Sequence, residues 1–304
     1  MKLSVLICTY NRDNLLTKCL DALVYRTIDK PDQVIVVNGG DKRADDVVEC
    51  IAARAKQEGI RTEIKLIKTL NRNLAASRNV GLPACTGDVI AMTDDDAEVF
   101  PDWVTLMKQT HEEHSEAGAI GGPVLGTNTE SLVGRVADLI TFPSWGKEQY
   151  VRTLPGVNIS YKREVVERIG AQDETLFRGE DVDYNWRVQR LGYKVFFDLR
   201  VKVYHHHRPT LRSLLNQHYM YGRAYYLVRR KWPDLYCVYP RAFRCSKDAL
   251  KLLNFLAAIL YEPIRYAIHM PGVGKRLSAF PLLVAHQVVW RFGMMRQALA
   301  VGKT

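Results

Sequence analysis

The first 116 residues alternate between short, continuous apolar runs and segments in which apolar residues recur every three or four positions. The apolar runs are the predicted strands, at residues 3–9, 33–37, 63–67 and 88–93. The segments with helical spacing follow them, at residues 16–23, 47–55, 74–82 and 101–116. Strands that are apolar throughout are buried on both faces, so the alternation predicts an α/β fold with a mostly parallel sheet and helices on both sides.

The second half of the chain is less regular and then becomes helical. Further strands are predicted at residues 119–125, 157–161, 193–197 and 201–204, before a helical region that starts near Pro209. The longest apolar stretches of that region are residues 250–261, which stop at Glu262 and Pro263, and residues 280–290, which Pro281, His286 and Gln287 interrupt. Neither reaches the roughly 20 apolar residues that span a bilayer. We predict an α/β domain at residues 1–220 and a helical, basic extension at residues 221–304.

Charge divides the chain in the same way. The net charge is +10, but residues 199–304 carry 18 Lys and Arg against 3 Asp and Glu, whereas residues 1–198 carry 25 against 30. A basic segment favours contact with nucleic acid or with an anionic membrane surface. The extension contains no recognisable nucleic-acid-binding module, and its apolar helices are edged by Lys and Arg, which is typical of helices in the membrane interface. Packing against the domain or a second subunit is the alternative.

Cysteine spacing and the N-terminal residues indicate the compartment. The six cysteines form no Cys-X-X-Cys pair and no zinc spacing. We interpret them as reduced, mostly buried thiols of a cytosolic protein. Residues 1–7 are too short and too strand-like for a signal peptide, so we expect a cytoplasmic protein that attaches to the inner face of the cell membrane.

Polar residues stand where the predicted strands end. They are residues 9–12, 38–41, 71–73 and 94–96. In open α/β sheets, ligands bind beyond the carboxyl ends of the strands. The triplet Asp94, Asp95 and Asp96 offers hard oxygen ligands, which suit Mg²⁺ or Mn²⁺ bridging a carboxylate to a diphosphate. The alternative is a polar turn before the helix that should start near Asp102.

Five segments in order resemble one enzyme family. They are Thr9-Tyr-Asn-Arg12, Leu74-Ala-Ala-Ser-Arg-Asn-Val-Gly81, Thr93-Asp-Asp-Asp96, Asn158-Ile-Ser160 and Gly179-Glu-Asp-Val-Asp183. The order is similar to that of the family-two inverting nucleotide-sugar glycosyltransferases, which have the Rossmann-like GT-A fold. The resemblance covers about residues 2–220.

The resemblance implies roles for residues at the strand ends. Asp96 would bind the metal ion, and Asp94 or Asp95 would contact the nucleoside. The other residues implied to bind the nucleotide-sugar are Thr9, Tyr10, Asn11, Arg12, Asn38 and Arg78. Arg78 would grip phosphate oxygens, although a surface salt bridge is its alternative role. Relatives often carry an acid where Asn38 stands, which leaves the identity of the nucleotide base open. Asn73, near the diphosphate loop, stands where relatives often have glycine.

The acidic pair of residues 180 and 181 is the second implied site. Asp181 matches the catalytic base of the family and Glu180 stands beside it, while helix capping is the alternative for both. A His near residue 205 completes the metal site in relatives, which favours His205 and then His207. A zinc site is disfavoured because no Cys or acid stands at ligand spacing. Asn158, Ser160 and Arg223 would contact the donor or acceptor sugar, and the stretch around His218 resembles the segment that covers the donor diphosphate.

The function that follows is a metal-dependent, inverting transfer of one sugar. The donor is expected to be a UDP-sugar, and the acceptor a hydroxyl of a glycan or lipid-linked molecule in cell-surface polysaccharide or glycoconjugate synthesis. The sequence lacks the glycine-rich motifs of a dinucleotide oxidoreductase and of a P-loop NTPase after the first strand, which excludes both classes. The sequence also lacks the Gln-X-X-Arg-Trp motif of a processive polysaccharide synthase, which favours transfer of one sugar at a time. The alternatives that stay open are a sugar-phosphate nucleotidyltransferase and a basic protein that binds nucleic acid or membrane without catalysis.

Overall fold

The computed structural model describes residues 1–142, 145–235 and 246–301. The strands are β1 (Leu3–Thr9), β2 (Gln33–Asn38), β3 (Glu63–Lys68), β4 (Val89–Asp94), β5 (Ala97–Val99), β6 (Ala117–Gly121), β7 (Val124–Gly126), β8 (Gln149–Val151), β9 (Asn158–Lys162), β10 (Lys194–Phe197) and β11 (Val203–His205). The helices are α1 (Asp13–Asp21), α2 (Lys42–Gln57), α3 (Leu74–Gly81), α4 (Trp103–Glu113), α5 (Leu132–Thr141), α6 (Arg163–Ile169), α7 (Glu180–Arg190), α8 (Leu211–Lys231), α9 (Ser246–Ala267) and α10 (Val273–Val301).

The large sheet has the strand order β3-β2-β1-β4-β9-β6-β10-β8. Strands β1 to β4 pair in parallel, as the apolar runs predicted. Strand β9 is antiparallel to both β4 and β6, and β8 is antiparallel to β10, so the sheet is mixed. A smaller sheet joins β5, β11 and β7. The predicted α/β class with parallel first strands is confirmed, and the antiparallel insertion is an addition that periodicity could not reveal.

Alternation along β1 explains why the sheet has helices on both faces. Val5 and Ile7 belong to one buried apolar cluster, whereas Leu6 belongs to another together with Ile35 of β2. Successive side chains of a strand point to opposite faces, so one continuous apolar run feeds both clusters. Strand β1 is therefore fixed in the centre of the sheet, and its carboxyl end is held at a defined place.

The described chain separates into two compact units. The first contains residues 1–127 and 142–206, which include both sheets. The second contains residues 128–141 and 207–304, of which the structure describes α5 and α8 to α10. The predicted division at residues 220 and 221 falls within α8, whereas the contacts divide the chain near residue 206. The division of roles between the two parts stays a prediction.

The helices of the second unit are longer than the apolar stretches suggested. Helix α9 continues past Pro263 to Ala267, and α10 runs for 29 residues with Pro281 inside it. The helix therefore extends beyond the apolar stretch, which stops at Glu262 and Pro263. A proline removes one helical hydrogen bond, and packing of buried residues from both helices in one apolar cluster offsets that cost. Gly222 of α8 allows the close approach to α10, because a Cβ there would lie 1.9 Å from the carbonyl oxygen of Trp290.

An apolar stripe on α9 is exposed to solvent. Its residues are Leu253, Leu256, Leu260 and Ile264. The spacing of three or four residues places them on one face of the helix. Within the described ranges, no helix combines the length and the apolar content that crossing a membrane requires.

The described cysteines are free thiols. Cys19 and Cys85 are buried, Cys8 is half-buried and Cys50 is exposed. Burial raises the pKa of the Cys8 and Cys85 thiols to about 12, which keeps them protonated. Cys237 and Cys245 lie outside the described residues.

Candidate active site

The acidic triplet lies at the carboxyl end of β4, beside the end of β1. The register pairs Cys8 with Asp94, so the two strands end side by side. The Thr9 hydroxyl donates a hydrogen bond to Asp95 Oδ2 over 2.7 Å. Arg12, in the loop after β1, forms ion pairs with Asp95 Oδ1 at 3.0 Å and with Asp96 Oδ2 at 2.7 Å. The sequence segment after the first strand therefore holds two of the three carboxylates in place.

Arg78 is buried in α3 and connects the triplet to the second acidic site. Its Nη2 lies 3.4 Å from Asp94 Oδ1, and its Nη1 lies 3.2 Å from Glu180 Oε1. Nη2 also donates to the carbonyl oxygen of Gly156 over 3.1 Å. A Cβ at residue 156 would lie 2.8 Å from both Nη atoms, so the guanidinium requires glycine there. The side chain is only 3% exposed, which makes this a buried bridge rather than a surface one.

Asp181 begins α7 next to Glu180 but has a different environment. Its Oδ2 accepts the backbone N–H of Gly156 over 3.0 Å, and its Oδ1 accepts the N–H of Val182 over 2.8 Å. The carboxylate is half-buried, whereas Glu180 is buried against Arg78. Two backbone donors therefore orient Asp181, and one of its faces stays accessible to solvent.

The cluster holds more negative than positive charge. Its carboxylates are Asp94, Asp95, Asp96, Glu180 and Asp181, and its guanidinium groups are Arg12 and Arg78. Burial, together with the neighbouring acid Asp181, raises the pKa of Glu180 to about 7 although Arg78 opposes the shift. Burial also raises the pKa of Asp95 to about 6, against the effect of Arg12. An added cation would relieve this excess of buried negative charge.

Three side chains of the cluster fit a divalent metal ion. One ligand atom from each of Asp94, Asp96 and His205 lies within 4.8 Å of the others. Strand β11 supplies His205, whose Nε2 is 3.2 Å from Asp96 Oδ1. Two carboxylates and an imidazole suit Mn²⁺ and Mg²⁺, and the excess negative charge favours either ion. The alternative ligand His207 contacts Asp138 in the second unit, with Nε2 at 3.1 Å from Oδ1.

The residues predicted to meet the nucleoside surround the ends of β1 and β2. Tyr10 is 51% exposed and Asn11 has a φ of 54°, so the loop turns sharply after the strand. The Asn11 side chain accepts the N–H of Asp41 over 2.9 Å, which ties the two loops together. Asn38 is buried, and its amide bonds to Asp45 Oδ1 and to backbone groups of its own loop. It shapes the loop, while Tyr10 offers the accessible surface.

Of the three residues predicted to contact the sugar, two lie in the core of the first unit and one lies in the second unit. Asn158 and Ser160 of β9 are fully buried. Asn158 accepts from the Trp103 indole over 2.8 Å, and the Ser160 hydroxyl lies 2.9 Å from His111 Nε2. Arg223 belongs to the second unit, where its Nε donates to Gln297 over 2.9 Å. Their sugar contacts stay predictions, and the buried pair stabilises the core beneath the site.

Sequence reasoning missed Gly156, which contacts both Arg78 and Asp181 through its backbone. The only signal was the Pro155-Gly156 dipeptide ahead of a strand, which marks a turn without indicating its partners. It also missed Asp45, whose carboxylate fixes Asn38. Nothing in the spacing of α2 distinguished that acid from its neighbours on the helix.

Comparison with known proteins gives a family match over most of the chain. The profile described as Glycosyl transferase family 2 matches residues 4–170, and that of Glycosyl transferase family group 2 matches residues 89–294. A glucosyl-dolichyl phosphate glucuronosyltransferase of Haloferax volcanii is 30% identical over 190 residues, which are 60% of this chain and 59% of the relative. A pre-mycofactocin glycosyltransferase of Mycobacterium tuberculosis is 28% identical over 168 residues, 53% of this chain and 36% of the relative. The chain thus matches well under two thirds of either relative's length.

A solved structure shares the fold over nearly the whole chain. It is a mannosyltransferase from Pyrobaculum calidifontis in complex with GDP-Man and Mn²⁺, with a TM-score of 0.65 and 17% sequence identity. The similarity covers 97% of this chain and 87% of the other. At that identity the likeness concerns the fold, and the roles of individual residues rest on the geometry described above.

Proposed function

The chain belongs to glycosyl transferase family 2, and from this membership and the geometry of the cluster we propose that it transfers one sugar from a nucleoside-diphosphate sugar to an acceptor hydroxyl. The chain has the GT-A fold, and its family membership favours sugar transfer over the nucleotidyltransferase and non-catalytic alternatives. The proposed acceptor is a glycan or a lipid-linked molecule of cell-surface polysaccharide or glycoconjugate synthesis. The observation that carries the proposal is the group of five carboxylates at the end of β4 and the start of α7, which Arg12 and Arg78 neutralise only in part.

Asp181 is the proposed general base. Its two backbone contacts orient the carboxylate while leaving it partly accessible, as a base that meets an incoming hydroxyl requires. Asp181 takes the hydroxyl proton as the acceptor oxygen forms a bond to the anomeric carbon. The bond from that carbon to the diphosphate oxygen breaks on the opposite face, and the nucleoside diphosphate leaves with the electron pair. The single displacement inverts the anomeric centre.

Asp94, Asp96 and His205 are the proposed ligands of Mn²⁺ or Mg²⁺. When bound, the ion would supply Lewis-acid stabilisation of the leaving diphosphate. Arg12 holds Asp96 from the opposite side, so it fixes the ligand for this role. Arg78 neutralises Asp94 and Glu180, which keeps the acidic pair and the triplet together in one buried network.

The loops after β1 and β2 are proposed to bind the nucleoside. Tyr10 offers an exposed ring on which a base can stack. Asn38 stands at the end of β2, where relatives often have an acid. Its side-chain amide hydrogen-bonds to backbone groups of its own loop and to Asp45 of α2. We therefore keep UDP as the first choice of nucleotide and include GDP in the test.

A transfer assay tests the proposal. The purified chain is incubated with radiolabelled UDP- and GDP-sugars, a panel of polyprenyl-phosphate-linked sugars and Mn²⁺, and products are separated by chromatography. We expect transfer from one donor class that stops when EDTA removes the metal and resumes when Mn²⁺ is restored. Transfer that continues at an equal rate in EDTA would contradict the metal assignment. No transfer from any donor to any acceptor, and no hydrolysis of any donor, would contradict the proposed activity.

We also propose that the second unit contacts the cytoplasmic face of an anionic membrane. The exposed stripe on α9 provides apolar surface, and the exposed Lys251 and Arg265 on the same helix match anionic headgroups. The double variant Leu260→Glu with Ile264→Glu should lose binding to phosphatidylglycerol vesicles in a flotation assay. Ile28→Glu changes an equally exposed residue of the first unit and should bind as the wild type does. Equal binding by both variants would refute the contact through α9.

A further inference from the structure

The second unit contains a cavity that is separate from the acidic cluster in composition and charge. Its volume is about 380 Å³, within the range of small-molecule sites. Helices α5, α8, α9 and α10 supply its walls. Its polar and aromatic lining includes His218, Phe255, Glu262, His286, Trp290 and Arg291.

Arg291 gives the cavity a buried positive charge. The residue is 6% exposed, and its Nε donates to the carbonyl oxygen of Phe255 over 2.8 Å. Its Nη1 donates to the backbone and side-chain oxygens of Gln287. Across the described part of the chain, no carboxylate lies within ion-pair distance of the guanidinium, and Nη2 donates no hydrogen bond. Neutral oxygens hold the buried guanidinium directly, and the charge of Glu262, which acts at longer range, offsets the cost of its burial only in part.

Two histidines add hydrogen-bonding atoms to the same walls. His218 is 2% exposed, and within the described residues its buried Nε2 has no hydrogen-bond partner. The His286 ring lies edge-on to it, with centroids 4.3 Å apart. Burial lowers the pKa of both imidazoles, that of His286 to about 4, so both are neutral at pH 7 and can donate one hydrogen bond each. An unsatisfied buried donor or acceptor is costly, which favours a polar ligand atom here.

The remaining walls are aromatic. The Arg291 guanidinium stacks 4.6 Å from the Phe255 ring centroid and 5.7 Å from that of Trp290. One face of α9 supplies Phe255 and Glu262 to the cavity. The opposite face of the same helix carries the exposed apolar stripe. A ligand suited to these surroundings has an anionic head for Arg291 and an apolar part for the aromatic rings.

We propose that this cavity binds the phosphate group of an amphipathic phosphate monoester, such as a lipid phosphate. Arg291 pairs with the phosphate oxygens, and His218 donates a hydrogen bond to one of them. None of the residues that line the cavity belongs to the acidic cluster. Glu262 lines the same cavity and opposes an anion, so it moderates the affinity.

Calorimetry on the full chain tests the proposal with dioctanoyl phosphatidic acid below its micellar concentration. We expect one molecule to bind per chain, and dioctanoyl glycerol, which lacks the phosphate, to bind at least tenfold more weakly. Inorganic phosphate is the third ligand, and tight binding of phosphate alone would overturn the assignment to a lipid. UDP and GDP are included because displacement of the lipid phosphate by either nucleotide would assign the cavity to the donor site instead.

Variants separate loss of the site from loss of the fold. Arg291→Gln and His218→Phe should each weaken the lipid phosphate at least tenfold, whereas Arg296→Gln, an exposed arginine of the same helix, should not. Glu262→Gln should tighten binding several-fold, a gain that a damaged fold cannot produce. Binding that is absent in the wild type, or unchanged in both Arg291→Gln and Glu262→Gln, would overturn the proposal.

Discussion

Two buried arginines in this chain are compensated in opposite ways. Arg78 in the first unit faces the carboxylates of Asp94 and Glu180, within a cluster that has more acids than bases. Arg291 in the second unit meets only carbonyl and amide oxygens among the described residues. Because buried charge attracts its opposite, the first site favours a cation and the second favours an anion.

The two regions also differ in how their charged side chains are held. At the acidic cluster, backbone and side-chain donors hold the carboxylates rigidly, as the hydrogen bonds of Thr9 and Gly156 illustrate. At the cavity, aromatic rings surround the guanidinium, which suits an amphipathic ligand. Perturbed ionisable groups occur at functional sites more often than elsewhere, and both regions contain them.

The largest expected effect comes from Asp181, the carboxylate of the acidic region that backbone donors rather than guanidinium groups hold. Asp181→Asn should lower the rate of sugar transfer by about 10²- to 10⁴-fold, because general-base catalysis contributes that much. Binding of the nucleotide should be retained. Steady-state kinetics with the active donor measures the change, and Glu164→Gln alters a first-turn acid of α6 as a control. A loss of less than threefold would remove Asp181 from the mechanism.

The next effect compares the stability lost when each of the two buried arginines is replaced by glutamine. Arg78→Gln should lower the free energy of unfolding by about 3–5 kcal/mol at pH 8, because it leaves buried carboxylates unpaired. Arg291→Gln should cost about 1–3 kcal/mol through lost hydrogen bonds. Urea unfolding at pH 8 and pH 5 measures both.

The loss in Arg78→Gln should shrink at pH 5, where the raised pKa of Glu180 keeps that group protonated. The loss in Arg291→Gln should be similar at the two pH values because its partners do not titrate. If Arg78→Gln lost the same free energy at both pH values, the acidic pairing of Arg78 would not be the cause.

Glu180 should make a smaller, pH-dependent contribution. Its pKa is raised from 4.5 to about 7 in the folded chain, so the folded state binds more protons than the unfolded state between these pH values. The free energy of unfolding should therefore fall as the pH rises from about 4.5 to 7, by up to about 3 kcal/mol. The difference between wild type and Glu180→Gln in urea unfolding isolates this group. A difference that is flat with pH would show that Glu180 is not buried as described.

The central part of the fold could be predicted because its signals are local. The apolar runs that became β1, β2 and β4 are nearly continuous, and the polar segments after them had to meet at one edge of a parallel sheet. The order of the strands beyond β4 could not be predicted, since the antiparallel insertion of β9 depends on pairing between residues far apart in sequence. Continuation of α9 past Pro263 likewise depends on packing within the second unit.

The candidate site was predictable by residue type but not by pairing. The triplet stands out because three acids directly follow a buried strand, whereas the resemblance to the family indicated Arg78 and Asp181. The sequence did not indicate that Arg12 pairs with the triplet, or that Gly156 joins Arg78 to Asp181, because both contacts depend on how loops close. Residues from four helices line the cavity around Arg291. The spacing of residues along any single helix therefore could not predict it.

Nucleotide binding tests the central claim most directly. Calorimetry compares UDP and GDP, each with and without Mn²⁺, on wild type, Asp96→Asn and Asp102→Asn, the last being an exposed acid just before α4. The account predicts that one diphosphate binds wild type and Asp102→Asn only when Mn²⁺ is present, and that Asp96→Asn weakens this binding by at least about tenfold. Binding that ignores Mn²⁺, or that is unchanged in Asp96→Asn, would contradict the claim that the acidic cluster holds a metal ion for a nucleotide-sugar.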